Sequence, residues 1–182
     1  MHSLTKILEQ QGLYIYDGEV TDFYGGSIIG YSKIRPEPPT DRLKDILDQE
    51  VQIDVQESLI DMKATLIKNK SNLLAMLQGF KSENKRIIGV GAPMKASTLL
   101  NFYGITPDLL DYIAEVNELK VGTVVPGVRV PVIHEDFVFE DQPDYAILLS
   151  WNMAAPIIRN YRKMGYKGKF IMPVPDPEVI HQ

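Results

Sequence analysis

The stretch GVGAPMKASTLL, residues 89–100, decides the fold that this sequence predicts. It follows a short apolar run and leads into a helical pattern, so two glycines with G-x-G spacing lie at a strand-to-helix junction. Such a junction can bind an anion, because glycines let a ligand approach the backbone and the first N–H groups of a helix are unpaired. Lys95 lies in the first helical turn, where the helix dipole disfavours a cation unless an anion is bound beside it.

The same turn has a second interpretation that the pattern leaves open. Gly89 and Gly91 would then only permit tight packing between strand and helix, and Lys95 would be solvated. The stretch lacks the G-K-[ST] of a nucleotide-binding P-loop, and Met94 stands where a dinucleotide fingerprint has its third glycine. If the turn does bind phosphate or sugar, the candidate contacts are Gly89, Gly91, Ala92, Lys95, Ser97 and Thr98.

Strand and helix patterns alternate around this stretch, which predicts an α/β fold with a Rossmann-like, mostly parallel sheet flanked by helices. The predicted strands cover residues 86–90, 111–115, 130–133, 145–150 and 169–172, and the predicted helices cover 93–103 and 154–164. Ahead of them we expect an N-terminal helix, a strand pair with a turn at Tyr24-Gly25-Gly26, and a long connecting helix. The expected domains are a segment at 1–35, a linker with the long helix at 36–82, and the Rossmann-like domain at 83–182.

The long helix is predicted from apolar side chains with 4-3 spacing over residues 53–80. Its length of about 28 residues, or about 42 Å, suits a helix packed along a domain. A homodimer through this helix is the alternative, since Asn69 interrupts one apolar row as a register-setting polar residue does in a coiled coil.

The composition is that of a globular protein: 182 residues, 45% of them hydrophobic, with a net charge of −5 and no cysteine. The lack of cysteine excludes disulfides, thiolate zinc sites and cysteine nucleophiles within the chain. The three histidines, His2, His134 and His181, have no metal-ligand spacing, so we expect no metal site. The negative charge disfavours nucleic acid as a partner, and no apolar run approaches the roughly 18 residues of a membrane span. We therefore expect a cytoplasmic protein.

Further candidates lie where predicted strands end, because open parallel sheets bind ligands at the carboxyl ends of their strands. Glu115 or Asn117 could bind sugar hydroxyls, although the pattern alone favours a plain polar turn. Trp151 either packs on the core or stacks on a ring of the ligand. Asn152 either caps the next helix or contacts the ligand. No arrangement of residues identifies a catalytic group.

Six motifs, taken in order, give the sequence a family resemblance. They are Gly89-x-Gly91-Ala92-Pro93-x-Lys95, Leu99-Leu100-Asn101-Phe102-x-Gly104-Ile105, Asn117-x-x-Lys120-x-Gly122, Pro126-Gly127-x-x-Val130-Pro131-Val132, Trp151-Asn152 and Phe170-Ile171-x-Pro173-x-Pro175. In this order they resemble the C-terminal domain of SAM-dependent sugar C-methyltransferases, which act on nucleotide-linked keto-sugars in deoxysugar biosynthesis. The resemblance covers residues 83–175, and residues 1–35 are similar to the end of the family's methyltransferase domain.

The resemblance implies a substrate-binding role for this chain, with phosphate and sugar contacts at residues 91–95, Ser97, Thr98 and Asn117. In the family, separate domains bind zinc and SAM, and the C-terminal domain helps to hold the nucleotide-linked sugar. Catalysis removes a proton beside the keto group, and the resulting enolate attacks the methyl group of SAM. We expect the main SAM site to lie outside this chain, which would need a methyltransferase domain or chain as its partner and would be inactive alone.

The sequence also departs from the family pattern. Tyr24 stands where a histidine usually precedes Gly-Gly-Ser, Ile29 where an arginine is common, and Pro156 interrupts an acidic stretch. His2 lacks the spacing of the family's histidine, so no catalytic residue is transferred to this chain. The alternative function is a stand-alone nucleotide-sugar or phosphate-binding module without catalytic activity. An oxidoreductase is disfavoured, because the G-x-G-x-x-G series is incomplete.

Overall fold

A computed structural model describes residues 1–23 and 26–180, which fall into two compact units, Met1–Lys63 and Ala64–Gln182. The predicted turn at Tyr24 and Gly25 lies outside the described residues, as does His181. The boundary between the units falls inside the long helix, α3 in the numbering below.

The first unit is an antiparallel strand pair with two helices. Helix α1 (His2–Glu9) precedes strands β1 (Tyr14–Thr21) and β2 (Ser27–Lys33), and helix α2 (Asp41–Val51) follows them. The core of this unit is small and consists of Met1, Ile15, Leu43 and Ile46.

Helix α2 falls where the sequence analysis expected only a linker. Thr40 caps it, since its hydroxyl oxygen accepts a hydrogen bond from the N–H of Leu43 at 3.3 Å and donates one to Asp17 at 2.6 Å. Arg42 in the first turn pairs with the same carboxylate. Hydrogen bonds from Arg42 and Thr40 lower the pKa of Asp17 to about 2. The cap signal is present in the sequence, but the prolines that precede it led to the prediction of a linker.

Helix α3 (Val55–Ser82) has 28 residues and lies within two residues of its predicted bounds. Asn69 on this helix is buried in the second unit. Its side-chain amide donates to the carbonyl of Pro173 at 3.0 Å and to that of Pro175, and its Oδ1 accepts from the Tyr103 hydroxyl. Because these bonds occupy Asn69 within the unit, this residue does not support a dimer seam, and the homodimer stays a prediction.

The second unit contains a six-stranded sheet with the order β5-β4-β3-β6-β7-β8. Its strands are β3 (Ile87–Val90), β4 (Ile113–Glu115), β5 (Val132–His134), β6 (Tyr145–Leu148), β7 (Lys169–Met172) and β8 (Glu178–Ile180). Strands β3 to β7 are parallel and β8 is antiparallel to β7. This is the 3-2-1-4-5-6 order of doubly wound sheets, with the reversal of strand order between β3 and β6. The predicted fold class is confirmed.

Helices cover both faces of this sheet. Helix α4 (Met94–Tyr103) and the later turns of α3 pack on one face, which we call the α4 face. Helices α5 (Asp136–Asp141) and α6 (Ala154–Lys163) pack on the other, the α6 face. Successive strand residues alternate between the two cores, as Ile87 and Ile88 do, because side chains of a strand point alternately to opposite faces. Both cores are apolar, so the strands have continuous apolar sequences.

Two elements of the second unit have no counterpart in the prediction. Helix α5 has only six residues, too few for a helical period to stand out. Strand β8 has three residues and follows a proline-rich stretch that predicted a boundary. Each completes an edge or a face of the sheet and neither changes its topology.

The turn at Pro126 and Gly127 is held by Asn101 at the end of α4. The amide of Asn101 donates to the carbonyls of Ser97 and Pro126, each at 2.8 Å. Gly127 has a φ of 88°, and a Cβ atom there would lie 1.9 Å from Asn101 Oδ1. Asn101 therefore links the last turns of α4 to this turn.

We expect Gly127→Ala to lower the free energy of unfolding by roughly 2 kcal/mol, because it adds backbone strain and displaces Asn101. Gly122→Ala is the matched control. Gly122 also has a positive φ, 82°, but a Cβ atom there would meet no atom within 4 Å, so about 1 kcal/mol is expected. Urea unfolding of both variants measures their free energies of unfolding. If the two variants lose the same free energy of unfolding, Asn101 does not hold the turn.

Candidate functional site

The turn from Gly91 to Pro93 connects the end of β3 to the start of α4. Gly91 has a φ of 81°, and a Cβ atom there would lie 2.4 Å from Ser150 Oγ. Only glycine therefore lets this turn approach the loop after β6 so closely. The two loops lie on either side of the point where strand order reverses, which is where open α/β sheets bind their ligands.

Backbone amides of this turn differ in what they bind. The N–H of Gly91 donates to the carbonyl of Ala114 and that of Ala92 to Glu115 Oε2, each at 2.8 Å. In the described part of the chain, no acceptor is bonded to the N–H groups of Met94 and Lys95. The amides available to an anion are thus those of the first helical turn, and the glycine itself supplies none.

Glu115 holds this turn from the end of β4. Its Oε1 accepts hydrogen bonds from the N–H groups of Val116 at 2.9 Å and Asn117 at 3.1 Å, and its Oε2 accepts the one from Ala92. Burial opposes ionisation of this carboxyl group, which is only 9% exposed, but the three N–H donors outweigh burial and lower its pKa. The sequence analysis offered Glu115 as a sugar ligand, whereas in the structure both of its oxygens bind the protein backbone.

Lys120 joins the same cluster. Its Nζ donates to the carbonyl of Ala92 at 2.9 Å and lies 3.7 Å from Glu115 Oε2. The side chain is 42% exposed and lines the cavities on both faces of the sheet described below. The sequence did not predict Lys120 as a site residue, because no pattern in it indicates that this side chain reaches back to the turn.

The Lys95 side chain reaches from the start of α4 to the loop after β6, next to the point where the strand order reverses. Its Nζ lies 4.2 Å from the centroid of the Trp151 ring and donates a hydrogen bond to Asn152 Oδ1. Burial lowers the pKa of Lys95. Asn152 therefore does not cap α6, whose N-cap is Met153, and Trp151 both packs on the α4-face core and contacts a cation. The sequence pattern left open whether Lys95 binds an anion or is solvated, and the structure shows these two side-chain contacts instead of a solvated side chain.

Two cavities adjoin the turn, one on each face of the sheet. The α4 cavity has a volume of about 420 Å³ and is lined by residues of α4 and of the loop between β4 and β5, including Ala92, Ser97, Thr98 and Lys120. The second is a groove on the α6 face, formed by adjoining cavities of about 330 and 400 Å³ that share Val116, Glu135, Ile157 and Tyr161. We call it the α6 groove. Pro93 and Lys120 line both the α4 cavity and this groove.

The predicted site residues form two groups near the turn, and two further residues, Gly89 and Asn117, lie apart from both groups. Ala92, Ser97 and Thr98 line the α4 cavity, and Gly91 in the turn lines the α6 groove. Lys95, Trp151 and Asn152 form one cluster beside the turn. Gly89 is buried inside β3, where a Cβ atom would lie 2.6 Å from Leu149. Asn117 is exposed after β4, and its Oδ1 accepts the N–H of Leu119 at 3.0 Å, as in an Asx turn.

Residues 1–23 and 26–180, which the structure describes, show neither a group of metal ligands nor a helix that could span a membrane. Within these ranges, no three histidine, aspartate or glutamate side chains come together as metal ligands would. None of the helices in the same ranges has the length and apolar character needed to cross a membrane.

The chain resembles both a known protein family and a curated protein. A family model described as "C-methyltransferase C-terminal domain" matches residues 22–175. The chain is also 29% identical, over 193 aligned residues, to a protein from Streptomyces niveus named C-methyltransferase NovU. That alignment covers 98% of this chain and 44% of the relative, so the chain spans less than half the length of the relative.

Proposed function

The chain belongs to the C-methyltransferase family through its C-terminal domain, and from this premise we propose that it is the substrate-binding part of a SAM-dependent enzyme. The proposed substrate is a nucleotide-linked keto-deoxysugar, which receives a methyl group on carbon. The proposed partner is the methyltransferase part of that enzyme, as a domain or as a separate chain. The residues named below bind and orient the substrate, and no catalytic group is assigned to them.

The observation that carries this proposal is the start of α4. The unpaired N–H groups of Met94 and Lys95 lie there beside the glycine turn. The side chains of Lys95 and Lys120 lie on either side of this turn. Backbone amides and cations at a helix N-terminus suit a phosphate group, which would also offset the repulsion between Lys95 and the helix dipole. We therefore assign the diphosphate of the substrate to this turn.

Around the diphosphate, the other proposed contacts have distinct roles. The hydroxyl groups of Ser97 and Thr98 line the α4 cavity and can donate to phosphate or sugar oxygens. Trp151 and Asn152 hold Lys95 in place and offer a flat ring and an amide to the sugar. Gly91 and Ala92 form the turn. Asn117 is linked to the turn because its N–H and that of Ala92 donate to the same carboxylate, that of Glu115.

The carboxylate at the end of β4 does not fit the main site of SAM, which would supply the methyl group. A SAM or dinucleotide site at a strand end needs a carboxylate for the ribose hydroxyls, and Glu115 stands at that position. Its two oxygens already accept three backbone N–H groups. We therefore propose that SAM binds outside this chain and derive no step through it.

Nuclear magnetic resonance of the labelled chain tests the assignment residue by residue. Addition of thymidine diphosphate should shift the amide signals of Met94, Lys95 and Ser97 most, since these groups would border the phosphates. Signals of Lys81 and Asp111, which pair with each other at the opposite ends of the strands, serve as internal controls and should not move. Shifts confined to other parts of the chain would contradict the proposed site.

A further inference from the structure

The α6 groove contains a buried hydroxyl group that the proposed phosphate contacts do not use. Tyr161 on α6 is 3% exposed, and the Glu135 carboxylate lies near its Oη, but no described group meets the distance and angle of a hydrogen bond to that oxygen. Buried polar atoms are nearly always hydrogen-bonded, because desolvation without a partner costs roughly 1–3 kcal/mol. Because this buried hydroxyl group lies in the wall of a groove, its missing hydrogen bond indicates that a ligand in the groove supplies the partner.

The neighbours of Tyr161 limit the chemistry of that ligand. Glu135 follows β5 and lines the same two cavities. Burial raises the pKa of the Tyr161 hydroxyl, and the negative charge of Glu135 raises it further. Lys120 and Lys163 also line the groove, but no cation of the described chain forms an ion pair with Glu135. This carboxylate can therefore accept a hydrogen bond from a sugar hydroxyl that in turn accepts one from Tyr161. Val116 and Ile157 add apolar walls that suit a flat ring.

We propose that the α6 groove holds the nucleoside of the nucleotide-linked sugar, with its sugar hydroxyls at Glu135 and Tyr161. This inference rests on the proposed function, because it places one half of the same ligand. The turn at Gly91 and Pro93 lies between the groove and the α4 cavity, and Lys120 lines both. The nucleoside occupies the α6 face, the diphosphate crosses the turn, and the transferred sugar lies on the α4 face near Thr98 and Trp151.

The test compares Tyr161→Phe with a matched substitution on the same face of the sheet. The Tyr112 hydroxyl is also shielded but donates to Asp141 at 2.9 Å, so it has a partner within the protein. We expect Tyr161→Phe to weaken binding of thymidine or uridine diphosphate roughly 3- to 10-fold, the effect of one lost neutral hydrogen bond, without lowering the unfolding midpoint in urea. Tyr112→Phe should lower that midpoint and leave the affinity unchanged.

Inorganic pyrophosphate separates this inference from the proposed function. Titration calorimetry should show pyrophosphate binding equally to wild type and to Tyr161→Phe, and more weakly than either nucleoside diphosphate binds to wild type. If pyrophosphate and the diphosphates bind wild type equally, the groove holds no nucleoside, although the phosphate site stands. If none of them binds, the proposed function fails and the inference fails with it.

Two further outcomes would overturn the inference alone. If Tyr161→Phe binds the diphosphates as tightly as wild type does, the hydroxyl does not contact the nucleoside. Binding of SAM or adenosine that is tighter than that of the diphosphates, and weakened in Tyr161→Phe, would show that the groove takes the nucleoside of SAM.

Discussion

Replacing Glu115 with alanine is expected to lower the free energy of unfolding by about 3–4 kcal/mol. The substitution leaves the N–H groups of Ala92, Val116 and Asn117 without their acceptor and removes the anion beside Lys120. Each unsatisfied donor that stays buried costs roughly 1–3 kcal/mol, and water can reach those nearest the surface. The turn after β3 should loosen as a result.

Urea unfolding measures this loss, and Glu118→Ala is the control. Glu118 is exposed in the same loop, three residues further along the chain, and its truncation should change the free energy of unfolding by less than about 0.5 kcal/mol. Equal effects of the two substitutions would contradict the role assigned to Glu115. Ligand affinity should also fall in Glu115→Ala, because the turn is part of the proposed site.

The same carboxylate makes stability depend on pH. The pKa of Glu115 is lower in the folded protein than its ordinary value of 4.5, so the unfolded chain binds the proton more readily. The stability that the ionised group contributes is therefore present above about pH 4.5 and is lost as the pH falls below it. The difference in unfolding free energy between wild type and Glu115→Gln should shrink over that range, and a constant difference would contradict the lowered pKa.

The second large effect concerns ligand affinity. We expect Lys95→Met to weaken the binding of a nucleotide-linked sugar by roughly 1.5–3 kcal/mol, or roughly 10- to 100-fold, because it removes one charge-assisted hydrogen bond to phosphate. Methionine keeps an unbranched chain against Trp151, so the packing of the indole ring should survive. Titration calorimetry at low salt provides the measurement.

Lys70→Met is the matched control for this substitution. Lys70 also lies over an aromatic ring, 5.3 Å from the centroid of Phe102, and donates to the Phe102 carbonyl at 2.7 Å, but it is remote from the turn in the fold, at the other end of α4. Its replacement should leave the affinity unchanged. If Lys95→Met binds as tightly as Lys70→Met, Lys95 only supports Trp151 and Asn152, and the phosphate contact lies elsewhere.

The sheet was predictable because apolar strands and helices alternate after residue 83, and parallel sheets have few alternatives for such an order. Helix α2 was missed although Thr40 and Leu43 carry its cap, since a proline-rich stretch comes directly before it. The short elements α5 and β8 depend on tertiary packing and carry too few residues for a periodic signal. Such short elements can be assigned only when the positions of the neighbouring strands are known.

The site was predictable only in outline. G-x-G spacing located the turn, but the sequence offered Glu115 as a ligand for sugar, whereas the fold uses it to bind the turn. The contact between Lys95 and Trp151 joins residues 56 positions apart, which no local pattern reveals. Tyr161 was unremarked for the same reason, because an aromatic residue on an amphipathic helix usually belongs to the core. Its missing hydrogen-bond partner is a property of the folded chain alone.

The most direct measurement is calorimetric titration of the 182-residue chain with a nucleotide-linked deoxysugar and, separately, with SAM. We predict that the nucleotide-linked sugar binds to this chain alone, that Lys95→Met weakens this binding, and that SAM produces no heat of binding. Binding of SAM without binding of the nucleotide-linked sugar would contradict the assignment of this chain to the substrate.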